Sequence, residues 1–343
     1  MVRGSEVSYN RTAEPVHDAL SKEGASSEEA FNPIPVNSLR LDTVAEFDIY
    51  LKPGGPGRFV LYREKNLEFT EEDKARLEAS GIDEVYIPES QDAAYRRYVE
   101  RNLGAILSDE RVEPATKSGI LYTSLVGVVS DVLHDPRSGE VVPRSESVVK
   151  HTCQFLYEQE GAFSNLMRVT AYDYYTYTHS VDVFVYSLAL AQRALPRDQV
   201  LQDFGLGALL HDIGKSLIDP AIINCKGKLT DAQFVEMKKH PAYGHEILLE
   251  QGGVGPVSLD MVRHHHEKFN GSGYPDGLRK DGIAPQTRIL AIADIFDALT
   301  TRRPYKAALG SFSALKLMKD EMGDELDTDL FCVFVNMMGH PSD

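Results

Sequence analysis

Histidine and aspartate residues with metal-ligand chemistry are spaced along the second half of this chain. The adjacent His211 and Asp212 follow a stretch of small and apolar residues and precede Gly214 and Lys215. A buried carboxylate without a partner costs several kcal/mol, and neutral imidazole beside carboxylate is a ligand set that divalent transition metals favour. A lone His-Asp pair also fits a capped helix end with a core histidine. The pair indicates a metal site only together with further ligands.

Further candidate ligands follow in order along the chain. His179 lies near the start of an apolar helix, and His240 directly precedes a proline at a predicted helix boundary. Taken singly, each fits a structural or surface histidine. Residues 264–266 are three consecutive histidines, and because neighbouring helical residues point about 100° apart, two of the three can line one pocket. Asp294 lies within the apolar run ILAIADIF, where its carboxylate needs a compensating charge.

The elements that must position these residues are mostly helices. Residues 1–32 read as a flexible leader and residues 33–90 as a small α+β regulatory or accessory domain, followed by a helical connector over residues 91–160 and an all-helical catalytic domain over residues 161–343. In the α+β unit, strands are expected at residues 36–41, 47–51, 58–62 and 84–87, with a glycine-rich turn at residues 54–57 and a helix over residues 70–80. The predicted fold class is mainly α.

Composition excludes several classes of protein. The formal net charge of -16 argues against a nucleic acid polymer as partner, because phosphate binding needs a basic surface. The chain has no apolar run of about 18 residues that would predict a membrane span, and its N-terminal residues lack an apolar signal core. The three cysteines, Cys153, Cys225 and Cys332, are scattered and read as reduced thiols. These observations favour a cytoplasmic protein without a membrane partner.

The ordered set of ligands resembles the HD-GYP family, a branch of the HD-domain metal-dependent phosphohydrolases. The resemblance covers about half of the chain, and it rests on HDIGK at residues 211–215, HHExxxGSGYP at residues 265–275, ADIFDALT at residues 293–300 and RPYK at residues 303–306. It implies an HD-type helical catalytic bundle and a phosphodiesterase that hydrolyses cyclic di-GMP to pGpG, with further cleavage to GMP left open. It also allows signalling partners such as diguanylate cyclases, and a homodimer.

The resemblance further implies roles for individual residues. Two divalent metal ions, most often iron or manganese in the family, are expected on His179, His211, Asp212, His240, His265, His266 and Asp294, with Asp212 bridging them and a water between them activated as nucleophile. Asp212 and Lys215 are the expected catalytic residues. The expected substrate contacts are Lys215, Gly273, Tyr274, Pro275, Arg303 and Lys306. From the residues alone, Lys215 also fits a solvated lysine, and Arg303 with Lys306 a solvated helix-end pair. His264 lies outside the matched ligands and is expected beside the site.

Two positions depart from the family's pattern. Tyr175 stands where some members have a glutamate that binds a third metal ion, so a dinuclear site is expected and efficient cleavage of pGpG is in doubt. Asn270 stands where an acidic residue commonly precedes GSGYP. Two other functions stay open: an HD-type phosphohydrolase for another nucleotide, and a receptor or protein-interaction module that binds cyclic di-GMP without cleaving it.

Overall fold

A computed structural model describes residues 29–53, 58–169, 176–196, 201–302 and 307–339, except for the side chain of Leu201. The predicted leader up to residue 28, the turn at residues 54–57, Tyr175, Arg303 and Lys306 lie outside the described residues. The chain divides into two compact units, the first ending at Ile106 and the second beginning at Leu107.

The first unit contains two antiparallel sheets. A four-stranded sheet has the order β1-β6-β3-β4, and β2 pairs with β5. The strands are β1 (Phe31–Pro35), β2 (Thr43–Ala45), β3 (Ile49–Leu51), β4 (Val60–Arg63), β5 (Leu67–Phe69) and β6 (Glu84–Pro88).

Three of the four strands predicted in this unit have counterparts in β3, β4 and β6, but the strand predicted over residues 36–41 is wrong. Val36–Ser38 is a short 3₁₀ helix, and the strand lies earlier, at Phe31–Pro35. The two prolines of β1 argued against a strand there. They are tolerated because β1 is an edge strand, paired only with β6, where a missing N–H need not break a second ladder.

Two helices pack with these sheets. Helix α1 (Glu71–Ala79) begins as predicted, because Thr70 and Asp73 form a reciprocal capping box and three acidic residues occupy the first turn. Helix α2 (Asp92–Ser108) carries Tyr95 and Tyr98, whose rings contact the fully buried Phe47 edge-on. These aromatic contacts form the core of the first unit.

The second unit is helical throughout the part of it that the structure describes. Its α-helices are α3 (Pro114–His134), α4 (Val141–Glu158), α5 (Ala162–Val169), α6 (Thr176–Ala194), α7 (Leu201–Leu209), α8 (Pro220–Ile223), α9 (Asp231–Met237), α10 (His240–Gln251), α11 (Pro256–His264), α12 (Pro285–Thr300), α13 (Ser311–Glu321) and α14 (Thr328–Gly339). Helix α6 is buried over almost its whole length and packs against α3, α7, α12 and α14. None of the described helices is both long and apolar enough to cross a membrane.

Helices α3, α4 and α5 belong to the same compact unit as the histidine-bearing helices. Helix α3 packs on α5 and α6, and α4 packs on α7. The mainly α fold, with a helical bundle after a small α+β unit, is confirmed. The four segments predicted from the sequence, including a connector over residues 91–160, stay a prediction.

Candidate metal centre

His211 and Asp212 lie at a break in the helical backbone. Helix α7 ends at Leu209, and a 3₁₀ helix runs over Ile213–Leu217, so the segment is not one continuous α-helix. This 3₁₀ helix packs closely on α10: a Cβ at Gly214 would lie 1.9 Å from the carbonyl oxygen of His240 and 2.5 Å from the backbone nitrogen of Gly244. The missing side chain at Gly214 therefore lets the His-Asp pair approach His240.

Three of the histidines are held in the same way. Each uses Nδ1 to bond the carbonyl oxygen three residues before it: His211 to Ala208 at 2.8 Å, His240 to Met237 at 2.7 Å, and His265 to Val262 at 2.9 Å. Because the carbonyl can only accept, Nδ1 carries the proton. In the neutral ring Nε2 then has a free lone pair, which is the form that binds metal ions.

His179 is oriented by a carboxylate instead. Its Nδ1 lies 2.6 Å from Oδ2 of the buried Asp297, whose Oδ1 accepts a hydrogen bond from Thr301 at 2.9 Å. Its Nε2 points to Oδ1 of Asp294 at 3.1 Å. A carboxylate behind a histidine fixes the tautomer and raises the basicity of the opposite nitrogen, an arrangement typical of metal-binding histidines.

Asp212 lies between two pairs of imidazoles, and each of its oxygens faces one pair. Oδ2 is 3.6 Å from Nε2 of His179 and 3.5 Å from Nε2 of His211. Oδ1 is 3.3 Å from Nε2 of His240 and 3.9 Å from Nε2 of His265. The carboxylate can therefore offer one oxygen to each of two neighbouring positions.

The residues form overlapping groups whose ligand atoms lie within 4.8 Å of one another. One group is His179, His211 and Asp294, a second is His240, His265 and His266, and a third joins His211, Asp212 and His265. Nε2 of His211 and Oδ1 of Asp212 are buried without a hydrogen-bond partner among the described residues. Lone pairs that converge in a buried space without an intervening proton fit a cation, so this donor set suits divalent metal ions.

The protonation states favour the same interpretation. Burial lowers the pKa of His240 to about 3 and that of His266 to about 4, and burial beside His266 lowers the pKa of His265 well below its ordinary value. Burial alone would raise the pKa of Asp212, but Lys215 and His211 outweigh it and hold that pKa well below the usual range. At neutral pH the imidazoles of His240, His265 and His266 are therefore uncharged electron-pair donors and Asp212 is a carboxylate.

Lys215 contacts Asp212 directly. Its ammonium nitrogen bonds Oδ2, and its side chain is 13% exposed, so the cation faces the site and not bulk solvent. The backbone N–H of Lys215 also bonds the carbonyl oxygen of Asp212 at 2.9 Å, which returns the side chain toward the carboxylate.

The GSGYP loop, residues 271–275, lies against the backbone of the histidine segment. A Cβ at Gly273 would lie 2.4 Å from the backbone nitrogen of Lys268 and 2.5 Å from Cα of Glu267, so this close approach requires glycine. The ring of Tyr274 packs on His266 with centroids 4.9 Å apart, and its N–H bonds the carbonyl oxygen of His266 at 3.2 Å. Pro275 follows a cis peptide bond and is exposed.

Glu267 holds the end of this loop. Its carboxylate is buried and accepts backbone N–H bonds from Asp276 at 2.6 Å, Gly277 at 2.9 Å and Leu278 at 3.0 Å. On the outside, Arg263 makes two bonds to the carboxylate of Asp276, at 2.9 and 3.0 Å. These contacts fasten the loop that carries Tyr274 to the histidine segment.

His264 faces away from the other two histidines of its run. Its Nδ1 lies 2.8 Å from Asp260 and its Nε2 2.9 Å from Asp276, and these carboxylates raise its pKa against the opposing effect of burial. Asn270 uses both ends of its amide: Oδ1 accepts from the backbone and hydroxyl of Ser272, and Nδ2 donates to Asp324 at 3.0 Å. A carboxylate at position 270 could not donate a hydrogen bond to Asp324. This contact explains why an amide and not an acidic side chain fits at position 270.

The structure brings together all seven side chains that the sequence proposed as metal ligands, with Lys215, Gly273 and Tyr274 beside them; their roles stay predictions. Arg303 and Lys306 lie outside the described residues, as does Tyr175. Sequence reasoning missed Asp297 and Glu267. Asp297 lies three residues after Asp294, one helical turn along the same buried face, and Glu267 directly follows the histidines; those positions were the available signals.

Comparison with known proteins agrees with these groups. Residues 148–330 match the model of a family described as HD domain, which is more than half of the chain. The chain is 31% identical over 280 residues to a Pseudomonas aeruginosa protein named cyclic di-GMP phosphodiesterase PA4108, covering 78% of this chain and 67% of that protein. It is 38% identical over 157 residues to a Vibrio cholerae protein named 3′3′-cGAMP-specific phosphodiesterase 3, covering 46% of this chain and 34% of that protein.

The fold also has a solved counterpart. Bd1817, described as an HDG"Y"P protein from Bdellovibrio bacteriovorus, superposes with a TM-score of 0.65 at 22% sequence identity and covers 90% of this chain and all of its own. At that identity the likeness concerns the fold. The family follows from the HD-domain match, the match to two thirds of the Pseudomonas aeruginosa relative at 31% identity, and the HD and GSGYP motifs. This chain therefore belongs to the HD-GYP branch of the HD-domain family.

Proposed function

We propose that this protein is a metal-dependent phosphodiesterase that hydrolyses cyclic di-GMP to pGpG at a dinuclear site. The observation that carries the proposal is the position of Asp212, whose two oxygens each face a separate pair of imidazole nitrogens at 3.3 to 3.9 Å. The resemblance to proteins named cyclic di-GMP phosphodiesterases, including one matched over most of this chain, supports the choice of substrate.

The ligand sets follow from the overlapping groups. His179, His211 and Asp294 would hold one ion, and His240, His265 and His266 the other, with one oxygen of Asp212 offered to each. Divalent ions bound in this way lower the pKa of a water molecule and clamp phosphoryl oxygens. His240 and His266, with lowered pKa values, and Asp212, with a pKa well below the usual range, are already deprotonated at neutral pH, as metal ligands must be.

Among the residues that the structure describes, Lys215 is well placed to stabilise the phosphate. Its ammonium lies at the carboxylate of Asp212 and can move to a non-bridging phosphoryl oxygen, where it neutralises charge that grows in the transition state. Tyr274 presents a ring beside His266, and Gly273 and Pro275 set the course of its loop. Arg303 and Lys306 remain predicted contacts to the substrate.

The positive charge of two bound metal ions would also offset, near the site, the net negative charge of the chain. With a formal net charge of -16, the protein as a whole repels a dianionic dinucleotide. Bound cations dominate the local field and invert it near the site. A receptor that only binds cyclic di-GMP has no need for a water-activating donor set, so the observed donors favour the enzyme over the receptor.

A second candidate function is hydrolysis of another cyclic dinucleotide, because one relative of this chain is named as specific for 3′3′-cGAMP. The GSGYP loop does not distinguish the two substrates by its contacts alone. A panel that contains cyclic di-GMP, 3′3′-cGAMP, cyclic di-AMP and pGpG tests both candidates in one assay.

The experiment is anaerobic purification, loading with Fe²⁺ or Mn²⁺, and chromatographic analysis of the products. We expect cyclic di-GMP to give pGpG with kcat/KM at least tenfold above that for cyclic di-AMP, and slow or no release of GMP. Tight binding of cyclic di-GMP without any hydrolysis in either metal would contradict the enzyme and favour the receptor.

A further inference from the structure

A short row of aromatic rings and one ammonium leads outward from the candidate metal centre. The ring of Tyr274 packs on His266. The ammonium of Lys238 lies 5.1 Å from the centroid of the Tyr274 ring and 4.7 Å from the centroid of the Phe234 ring. Helix α9 and the residue after it thus extend the site by one cation and one further ring.

Phe234 is one of several large apolar side chains left open to solvent, and it is the one that lies beside this row. It is 48% exposed, although Phe is a residue that ordinarily buries most of its surface. The ammonium of Lys238, the residue that follows the helix, lies over this ring, and about half of the Phe234 side chain is open to solvent. Because a lysine side chain is long and flexible, the ammonium can move aside and leave the ring to a ligand.

Lys238 has no carboxylate within salt-bridge distance among the described residues. Its neighbour Lys239 differs, because the ammonium of Lys239 lies 2.6 Å from Glu236. Lys238 instead lies against the faces of two rings. Its N–H groups can therefore donate to a ligand that binds beside these rings. An ammonium without an ionic partner next to two aromatic faces is suited to a flat ligand that carries acceptors on its edge.

We propose that Phe234 and Lys238 form a purine subsite, in which a base of the cyclic dinucleotide takes the place of the Lys238 ammonium over the Phe234 ring and the displaced ammonium donates to the edge of the base. The inference rests on the proposed function, since the phosphate must lie at the metal centre for the base to reach this row. Aromatic side chains are sequence-tolerant platforms for bases. Lys238 adds selectivity, because guanine presents two acceptors, O6 and N7, where adenine presents one acceptor and a donor.

The test compares single variants in the metal-loaded full chain. Phe234→Ala removes the ring and Phe234→Tyr keeps it, while Val235→Ala is the matched control, being 61% exposed on the same helix. Lys238→Met removes the ammonium, and Lys239→Met removes the adjacent, ion-paired one. The readouts are kcat and KM for cyclic di-GMP and cyclic di-AMP, turnover of bis(4-nitrophenyl) phosphate, which has no purine, and the Kd of cyclic di-GMP by calorimetry.

We expect Phe234→Ala to raise KM and Kd for cyclic di-GMP by roughly 5- to 140-fold, the range that stacking one base supplies. Phe234→Tyr and Val235→Ala should stay within about twofold of the unsubstituted protein, and turnover of the purine-free ester should be unchanged. Lys238→Met should lower the preference for cyclic di-GMP over cyclic di-AMP by about fivefold or more, whereas Lys239→Met should leave it unchanged.

The subsite is overturned if Phe234→Ala and Val235→Ala give the same KM and Kd, or if the purine-free ester is affected as strongly as cyclic di-GMP. In either case the proposed function stands as long as the unsubstituted protein cleaves cyclic di-GMP. A protein that cleaves the purine-free ester but no cyclic dinucleotide contradicts the proposed function instead, and the Kd comparison then decides the subsite separately.

Discussion

The orientation of individual side chains determines what the candidate centre can hold. His179 is positioned by Asp297, at 2.6 Å, and this contact takes the place of the backbone carbonyl that orients His211, His240 and His265. The Asp297 carboxylate fixes the tautomer of His179 and directs Nε2 toward Asp294. Asp297 is therefore a positioning residue for the candidate ligand His179.

Replacing this carboxylate should weaken metal binding. We expect Asp297→Asn to lower the affinity for Mn²⁺ by about 10- to 100-fold, the usual cost of removing an outer-shell partner of a metal-binding histidine. Competition with a fluorescent chelator measures the affinity directly. Thr301→Val, which removes only the hydroxyl donor to Asp297, is the control and should have a smaller effect. An unchanged affinity in Asp297→Asn would show that His179 is held by other contacts.

Replacing Glu267 should have a different effect, because its carboxylate holds the end of the GSGYP loop and does not orient the candidate metal ligands. Its buried carboxylate accepts three backbone N–H groups, and a glutamine keeps only one acceptor oxygen while turning an NH₂ toward those donors. We expect Glu267→Gln to lower the free energy of unfolding by about 1–3 kcal/mol and to raise KM for cyclic di-GMP. Metal content, measured by elemental analysis, should not change. Loss of metal in this variant would contradict the assignment to the loop.

At the scale of elements, the packing of the 3₁₀ helix on α10 brings two parts of the centre together. Gly214→Ala would place a methyl group against the backbone of His240, which no side-chain rotation can relieve. Overpacking of this kind costs about 1–3 kcal/mol or more. We expect lower stability in chemical denaturation together with weaker metal binding. Gly227→Ala is the control, because a Cβ at Gly227 meets nothing within 4 Å.

The contact between α3 and α6 contains a carboxyl group that is held protonated. Asp182 is buried and accepts a hydrogen bond from the hydroxyl of Tyr122 at 2.9 Å, and burial beside Asp297 raises its pKa to about 8. A raised carboxyl pKa means that the folded state binds the proton more tightly than the unfolded state. Its stabilising contribution is complete below the ordinary pKa of 3.8 and is lost as the pH rises toward 8.

The stability of the metal-free protein should therefore fall as the pH rises from about 6.5 to 8, with at most about 1.4 kcal/mol per pH unit from Asp182. Histidines with lowered pKa values, such as His240, oppose this trend only below their ordinary pKa of 6.5. Asp182→Asn, a neutral amide of the same shape, should reduce the slope to the part that His264 contributes, because the raised pKa of His264 acts in the same direction above pH 6.5. Denaturant unfolding across this pH range measures it, and an unchanged slope in the variant would assign the titration to another group.

The whole chain shows which features could be predicted from sequence. The candidate ligands could be predicted because together they follow the order of a known family's motifs, although His179 and His240 taken singly fit structural or surface histidines. Asp294 stands out by itself, as a carboxylate within an apolar helix. The start of helix α1 could likewise be predicted from its N-terminal capping residues. Strand β1 was misplaced because its prolines are tolerated only at a sheet edge, and edge position is a tertiary property. Phe234 and Lys238 were missed because nothing local connects them with Tyr274, about 40 residues away.

Asp212 has the leading role in the proposed function, because one of its oxygens would bind each of the two metal ions. The most direct test is to count metal ions per chain in anaerobically purified protein and to measure cyclic di-GMP hydrolysis on the same sample, for the unsubstituted protein and for Asp212→Ala. We expect two divalent ions per chain and hydrolysis in the former, with both metal content and activity lost in the latter. An Asp212→Ala protein that keeps two ions and full activity, or a metal-free protein that hydrolyses cyclic di-GMP, would contradict the proposed function.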